Sequence, residues 1–112
     1  MFGHDKREIM THLQLQHKFK EQLRKHLDVE KYFYYKIPDT FGIGGIRPFD
    51  GILIYGRTYA IEYKVKRDRV KPHQKYYLNL VKASGGVKLV IKETDDLNII
   101  IETIKQNKGG TT

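Results

Sequence analysis

Two acidic residues and one lysine of this chain lie in stretches that are typical of neighbouring β-strands. Asp50 precedes the apolar run 52–55, and Glu62 and Lys64 lie within the run 58–65. Side chains alternate between the faces of a strand, so Glu62 and Lys64 share one face. Two carboxylates can hold a divalent cation, and a lysine beside them can hold a water or a phosphate. The pattern suits metal-dependent cleavage of a phosphodiester bond.

The connection between these stretches favours a shared site. A turn at Gly56–Arg57 predicts a hairpin, which would bring Asp50 close to Glu62. Neighbouring carboxylates repel each other unless a cation lies between them. Their hard oxygen ligands point to Mg²⁺, with Mn²⁺ as a substitute. The other interpretation of Glu62 and Lys64 is a plain ion pair on a solvated strand face.

Composition narrows the class of protein. The chain has 112 residues with 21 basic and 13 acidic side chains, a net charge of +8, which favours a polyanionic partner. It contains no cysteine, so it has no disulfide framework and no thiolate metal site. Without a long apolar run or a signal peptide, we expect one domain in the cytoplasm of a cell or of an infected host.

Periodicity and turn residues predict the order α-β-β-β-α-β-α. This order implies an α/β domain with a mixed four-stranded sheet flanked by helices. The residues after 106 are expected to form a frayed tail, 107–112. The predicted elements are a helix at 5–27, strands at 31–37, 50–55 and 58–65, a helix at 72–84, a strand at 87–92 and a last helix ending near 106.

The first helix carries polar residues on its buried side. Leu13, Phe19 and Leu23 belong to an apolar stripe at helical spacing. His12 and Gln16 interrupt that stripe at positions that face inward. An inward histidine is either a hydrogen-bonded core residue or a ligand of the site.

The second helix is predicted to begin at Pro72, which suits a first turn. Tyr77 and Leu80 are expected on its packed face, and Gln74 lies three residues before Tyr77 on the same stripe. Gln74 would then face the sheet or the cleft at its edge, although an exposed position at the helix start is the alternative. Thr94 is the expected N-cap of the last helix.

A run of basic residues follows the third predicted strand. Beside a nuclease site this run would grip phosphates, and otherwise it is a solvated loop. Together with Arg47, the candidate DNA-binding residues are Lys66, Arg67, Arg69 and Lys71.

These features together resemble the PD-(D/E)XK nuclease superfamily, and within it most nearly the virus-type replication-repair nuclease (VRR-NUC) domain. The resemblance spans about residues 8–92, and its specificity comes from the combination of short motifs. It implies a restriction-endonuclease-like core. The matching residues are Gly45-Ile46-Arg47-Pro48-Phe49-Asp50, Gly56-Arg57, Ile61-Glu62-Tyr63-Lys64, Gln74, Leu80 and Gly85-Gly86.

The resemblance implies a Mg²⁺-dependent DNA endonuclease that often selects DNA structure rather than sequence. Stand-alone viral members resemble homodimers that resolve Holliday junctions. By resemblance, Asp50, Glu62 and the backbone carbonyl of Tyr63 would bind the metal. Lys64 would be catalytic, and Gln74 would support the site or contact the phosphate. The alternative is a non-catalytic nucleic-acid-binding module on a nuclease-like fold.

The chain departs from the family pattern at the first acid. The motif reads Pro-Phe-Asp, with one residue inserted before Asp50, whereas a literal Pro-Asp occurs at Pro38-Asp39. A glycine-rich loop follows Asp39, and an apolar strand follows Asp50. We therefore prefer Asp50 as the first acid.

A second departure concerns the first helix. Many family members carry a glutamate there, about one turn before a glutamine. If that glutamine is aligned with Gln16, His12 stands in the place of the acid. His12 is therefore a further candidate metal ligand, with Glu21 as an alternative acid.

Overall fold

Three helices and four strands make up the part of the chain that the computed structural model describes, residues 10–38 and 47–107. This architecture confirms the predicted α/β class with a mixed four-stranded sheet. No helix within these residues is long and apolar enough to cross a membrane. The elements are α1 (His12–His26), β1 (Phe33–Lys36), β2 (Gly51–Ile54), β3 (Thr58–Lys64), α2 (Pro72–Ala83), β4 (Val87–Lys92) and α3 (Leu97–Gln106).

The sheet has the order β1-β2-β3-β4. The first three strands are antiparallel, and β4 runs parallel to β3 after the crossover through α2. Gly56 has φ +73°, a conformation that glycine adopts without strain, and it closes the tight turn between β2 and β3. Gly51 pairs with Ile61, and the Asp50 N–H donates to the Ile61 carbonyl at 2.9 Å. This register places Asp50 beside Glu62.

The hydrophobic core lies on one face of the sheet. Alternate residues of β3 point toward this face, where α1 and α3 cover them. The ring of Phe19 on α1 meets the ring of Tyr63 edge-on, with centroids 6.1 Å apart. The fully buried members of the core are Leu15, Phe19, Leu23, Leu53, Ile61, Tyr63, Ile91, Ile101 and Ile104.

Helix α1 begins later than its sequence predicts. Thr11 is the N-cap: its hydroxyl accepts from the Gln14 N–H, and the Gln14 side chain accepts from the Thr11 N–H, which forms a capping box. The prediction of helix at residues 10 and 11 was wrong, because Thr11 is extended, and the predicted residues 5–9 lie outside the described part of the chain. Leu13 was also misplaced, since it is half-exposed and Leu15 takes the buried position.

Helix α2 packs against β4, and its Gln74 contacts Glu62 on the face opposite the core. Its buried residue is Leu78, whereas Tyr77 and Leu80 are exposed, so the predicted packed face was wrong. The last helix also differs from the prediction at its start. Asp96, rather than Thr94, caps α3 by accepting from the N–H groups of residues 98 and 99.

Candidate active site

Asp50 is held in one orientation by groups from three parts of the chain. It is 2% exposed, and its Oδ2 accepts from the backbone N–H of Tyr63 at 2.8 Å. Its Oδ1 lies 3.1 Å from Nη2 of Arg47. Arg47 in turn donates through Nη1 to the carbonyl of Ile37 at 3.1 Å. These contacts fix Asp50 at the start of β2, where the hairpin presents it to β3.

His12 joins the site from the first turn of α1. Its Nε2 lies 3.1 Å from Asp50 Oδ2 and 2.9 Å from the Tyr63 carbonyl oxygen. Both partners are acceptors, so Nε2 carries the proton. Nδ1 then accepts from the side-chain amide of Gln16 at 2.8 Å, one helical turn further along. The inward position predicted for Gln16 corresponds to a buried side chain that orients the histidine ring.

Glu62 and Lys64 extend from β3 on the face opposite the core. Glu62 is 1% exposed and Lys64 is 7% exposed, and Lys64 Nζ lies 3.1 Å from Glu62 Oε2. The same oxygen accepts from the amide of Gln74 at 2.6 Å. Gln74 is fixed in turn because its Oε1 accepts from the Lys71 N–H at 2.8 Å. The structure therefore places Gln74 at the site. The alternative, a solvent-exposed Gln74 at the start of the helix, is wrong.

The two carboxyl groups have opposite pKa shifts. Burial alone would raise the pKa of Asp50, but hydrogen bonds from His12 and Tyr63 and the nearby cationic groups hold it below its ordinary value. Burial, reinforced by the charge of Asp50, raises the pKa of Glu62 to about 7. The hydrogen bond to Asp50 raises the pKa of His12. At neutral pH, Asp50 is ionised and Glu62 is close to its titration midpoint.

The oxygen atoms gathered here fit a divalent cation. Glu62 Oε1 is buried and has no hydrogen-bond partner among residues 10–38 and 47–107. Together with Asp50 and the Tyr63 carbonyl it offers hard oxygen donors of two kinds, which Mg²⁺ and Mn²⁺ prefer. Within the same ranges, no group of three or more His, Cys, Asp or Glu side chains is arranged to hold a metal ion. The oxygens come instead from two carboxylates and one main-chain carbonyl.

The remaining candidate residues are less closely grouped. Arg47 contacts Asp50, a role that the sequence does not predict, and its contact with DNA stays a prediction. The loop between β3 and α2 exposes the rest of the predicted basic set, and Lys66 there has φ +55°, which is rare for a side-chain-bearing residue. That set comprises Lys66, Arg67, Arg69 and Lys71.

Neither alternative acid, Glu21 or Asp39, is seen beside Asp50 in the described residues. Glu21 forms an ion pair with Arg24 on the exposed side of α1, so the structure does not bring it to Asp50. Asp39 and the glycine-rich loop that follows it lie outside the described residues.

One contact near the site was missed from the sequence. The hydroxyls of Tyr34 and Tyr63 lie 2.9 Å apart, and this hydrogen bond joins β1 to β3 beneath the site. Gly51 permits the approach, because a Cβ there would lie 3.3 Å from the Tyr34 hydroxyl. In the sequence, the glycine next to Asp50 is the feature that could have indicated this close approach. Pairing across two strands cannot be recognised before the register is known.

Comparison of the chain with protein-family models, curated proteins and solved structures gave no significant match.

Proposed function

We propose that this chain is a metal-dependent DNA endonuclease that hydrolyses phosphodiester bonds. The observation that carries the proposal is the buried cluster of Asp50, Glu62 and the Tyr63 carbonyl, with the Lys64 ammonium against one carboxylate. Glu62 Oε1 supports it, because a buried carboxylate oxygen without a partner is costly unless something binds it. We further propose that the sheet and helices form a restriction-endonuclease-like core of the PD-(D/E)XK type.

Each side chain has a distinct task in this proposal. Asp50, Glu62 and the Tyr63 carbonyl would hold Mg²⁺, with Mn²⁺ as a substitute. The cation would lower the pKa of a water molecule and neutralise charge on the phosphate. Lys64 would place its positive charge where negative charge develops. Gln74 would keep Glu62 in position through its hydrogen bond.

The second candidate is a nucleic-acid-binding module without catalysis. The contact that favours it is the His12 N–H, which lies between Asp50 Oδ2 and the Tyr63 carbonyl, two of the proposed ligands. A proton donor there satisfies both acceptors without a cation. In that case the net charge of +8 serves binding only.

Incubation of the purified protein with labelled DNA separates these candidates. Four-way junctions, flaps and linear duplexes are each tested with Mg²⁺, Mn²⁺ or EDTA. We expect cuts only with the metals and more cuts in branched DNA than in linear duplex. DNA binding without metal-dependent cuts would favour the module.

Isosteric variants then test the assignment of residues. We expect Asp50→Asn to abolish cleavage and Lys64→Met to slow it by about 100- to 1000-fold, the usual cost of losing charge stabilisation in a transition state. DNA affinity and the circular dichroism spectrum should change little. Matched controls are Asp28→Asn, an exposed carboxylate, and Lys88→Met, an exposed lysine of β4. If Asp50→Asn cleaves DNA normally and Asp39→Asn does not, the first acid of the motif is Asp39 instead of Asp50.

A further inference from the structure

A cavity of about 310 Å³ opens directly beside Lys64. The loop after β3, the first turn of α2 and the end of β4 form its walls. Its lining includes Lys64, Arg69, Lys75 and Lys92 and one carboxylate, that of Asp68. Lys64 also contacts Glu62, so this cavity adjoins the proposed catalytic cluster.

Two of the lysines at this cavity lie at paired positions of neighbouring strands. Lys64 and Lys92 are direct partners in the parallel pairing of β3 with β4 and share a face of the sheet. Like charges at neighbouring positions repel each other, although water screens this repulsion at the exposed Lys92. Lys64 is compensated by Glu62, but the Lys92 ammonium makes no hydrogen bond or ion pair with the described residues. Lys88, on the same face of β4, does have a partner, the Asn79 side chain at 2.9 Å.

Two further cations at the cavity are equally uncompensated. The side chains of Arg69 and Lys75 have no acidic or hydrogen-bonding partner within residues 10–38 and 47–107. Lys75 lies in the first turns of α2, whose backbone N–H groups already make that end of the helix positive. The first turn of α2 contains no acidic residue. Besides Lys64, which pairs with Glu62, three cationic groups without a partner among the described residues therefore line the cavity with one carboxylate, that of Asp68.

We propose that this cavity binds a phosphodiester group of a polynucleotide backbone, next to the phosphate that Lys64 serves. The inference rests on the proposed function, because its position is defined relative to that site. Flexible lysines and an arginine are the side chains that most often neutralise backbone phosphates. A bound phosphate offsets the repulsion between Lys64 and Lys92 and provides partners for Arg69 and Lys75.

This assignment changes which basic residues are expected to bind DNA. The cavity takes Lys75 from α2 and Lys92 from β4, neither of which belongs to the basic run between β3 and α2. Of that run only Arg69 lines it, whereas Lys66, Arg67 and Lys71 do not. The contribution to DNA binding is therefore concentrated at the cavity rather than spread evenly along the loop.

Fluorescence anisotropy with a labelled DNA duplex in EDTA, over about 50 to 200 mM salt, tests the inference. Each of Lys75→Gln and Lys92→Gln is expected to weaken binding several-fold and to lower the slope of log K against log salt, with a loss of about 0.9, the contribution of one phosphate, in the double variant. The matched control is Lys82→Gln, which makes the same charge change on α2, two helical turns from Lys75 and away from the cavity. If all three variants behave alike, the inference is wrong.

A DNA strand with one uncharged methylphosphonate, moved stepwise along the backbone, identifies the phosphate. Wild-type protein should lose affinity at the position that occupies the cavity, and Lys75→Gln should be insensitive at that same position. A free anion is the other source of the same chemistry. If inorganic phosphate stabilises the wild type but not the variants, and no DNA position shows this pattern, the backbone assignment is overturned.

Cleavage with Mg²⁺ separates this inference from the proposed function. If wild-type protein cuts DNA while Lys75→Gln and Lys92→Gln bind like Lys82→Gln, the cavity inference fails and the endonuclease stands. If both variants lose affinity and salt dependence but wild-type protein does not cut, the cavity stands and the catalytic proposal fails.

Discussion

At the residue scale, the site is a cluster of buried polar groups whose partners set their charge. Asp50 receives hydrogen bonds from His12 and Tyr63 and an ion pair from Arg47, so it stays ionised although it is buried. Burial, reinforced by the charge of Asp50, raises the pKa of Glu62 to about 7, and its Oε1 has no hydrogen-bond partner among the described residues.

The raised pKa of Glu62 makes stability depend on pH in the absence of metal. Between its ordinary value of 4.5 and about 7, the folded protein holds a proton on Glu62 that the unfolded chain has released. Stability therefore falls as the pH rises through this window. Glu62→Gln mimics the protonated form. We expect it to match wild type near pH 4.5 and to be more stable by about 1–3 kcal/mol near pH 8.

Urea unfolding in EDTA at the two pH values measures this difference. Glu102→Gln is the control, because Glu102 is exposed and, among the described residues, pairs only with Lys105 on α3. A Glu62→Gln effect that is the same at both pH values would contradict the assignment of the raised pKa.

At the element scale, two helices contact the same strand from opposite faces. Helix α1 packs on the core face and brings His12 to Asp50 from its first turn. Helix α2 lies on the other face and brings Gln74 to Glu62 from its first turn. The start of each helix, rather than its middle, therefore reaches the site.

The fit between α2 and the sheet can be tested at Gly86, where the chain turns into β4. A Cβ there would lie 2.7 Å from Val81 Cγ1 and 3.1 Å from the Thr58 carbonyl oxygen. We expect Gly86→Ala to reduce the free energy of unfolding by about 1–3 kcal/mol, as overpacking usually does. Ser84→Ala, an exposed neighbour, should change it by less than about 0.5 kcal/mol.

A double variant isolates the contact. Val81→Ala removes the methyl group that the new Cβ would meet, so the cost of Gly86→Ala should be smaller in that background. Thermal or urea unfolding of the four proteins gives the coupling. Strict additivity would show that the clash with Val81 does not determine the cost.

At the scale of the whole molecule, net charge and symmetry determine what the proposed action on DNA would require. A net charge of +8 favours a polyanionic partner, and the cations that have no partner among the described residues lie beside the proposed catalytic cluster. The described part of the chain presents one such cluster. Cutting two strands of a branched substrate in one encounter requires two.

We therefore expect a homodimer with closed two-fold symmetry, which would present two sites to opposed strands. Sedimentation equilibrium should give twice the chain mass of 13.2 kDa. The experiment is repeated at low and high salt to exclude association that depends only on charge. A mass of one chain under all conditions would contradict the dimer and leave an enzyme that nicks single strands.

Sequence alone sufficed for the features that depend on local structure. Strand periodicity and a two-residue turn placed Asp50 near Glu62, because a hairpin brings together residues that are close in the chain. Alternation along β3 placed Lys64 on the same face as Glu62. The class of the fold followed from the same patterns.

Only the tertiary structure decided which distant groups complete the cluster. His12 meets Asp50, Gln74 meets Glu62, and Lys92 stands beside Lys64 because whole helices and a parallel strand pack there. Such contacts depend on the packing of entire elements, and no pattern within one element encodes them. The same is true of the raised pKa of Glu62, since burial is a property of the folded chain.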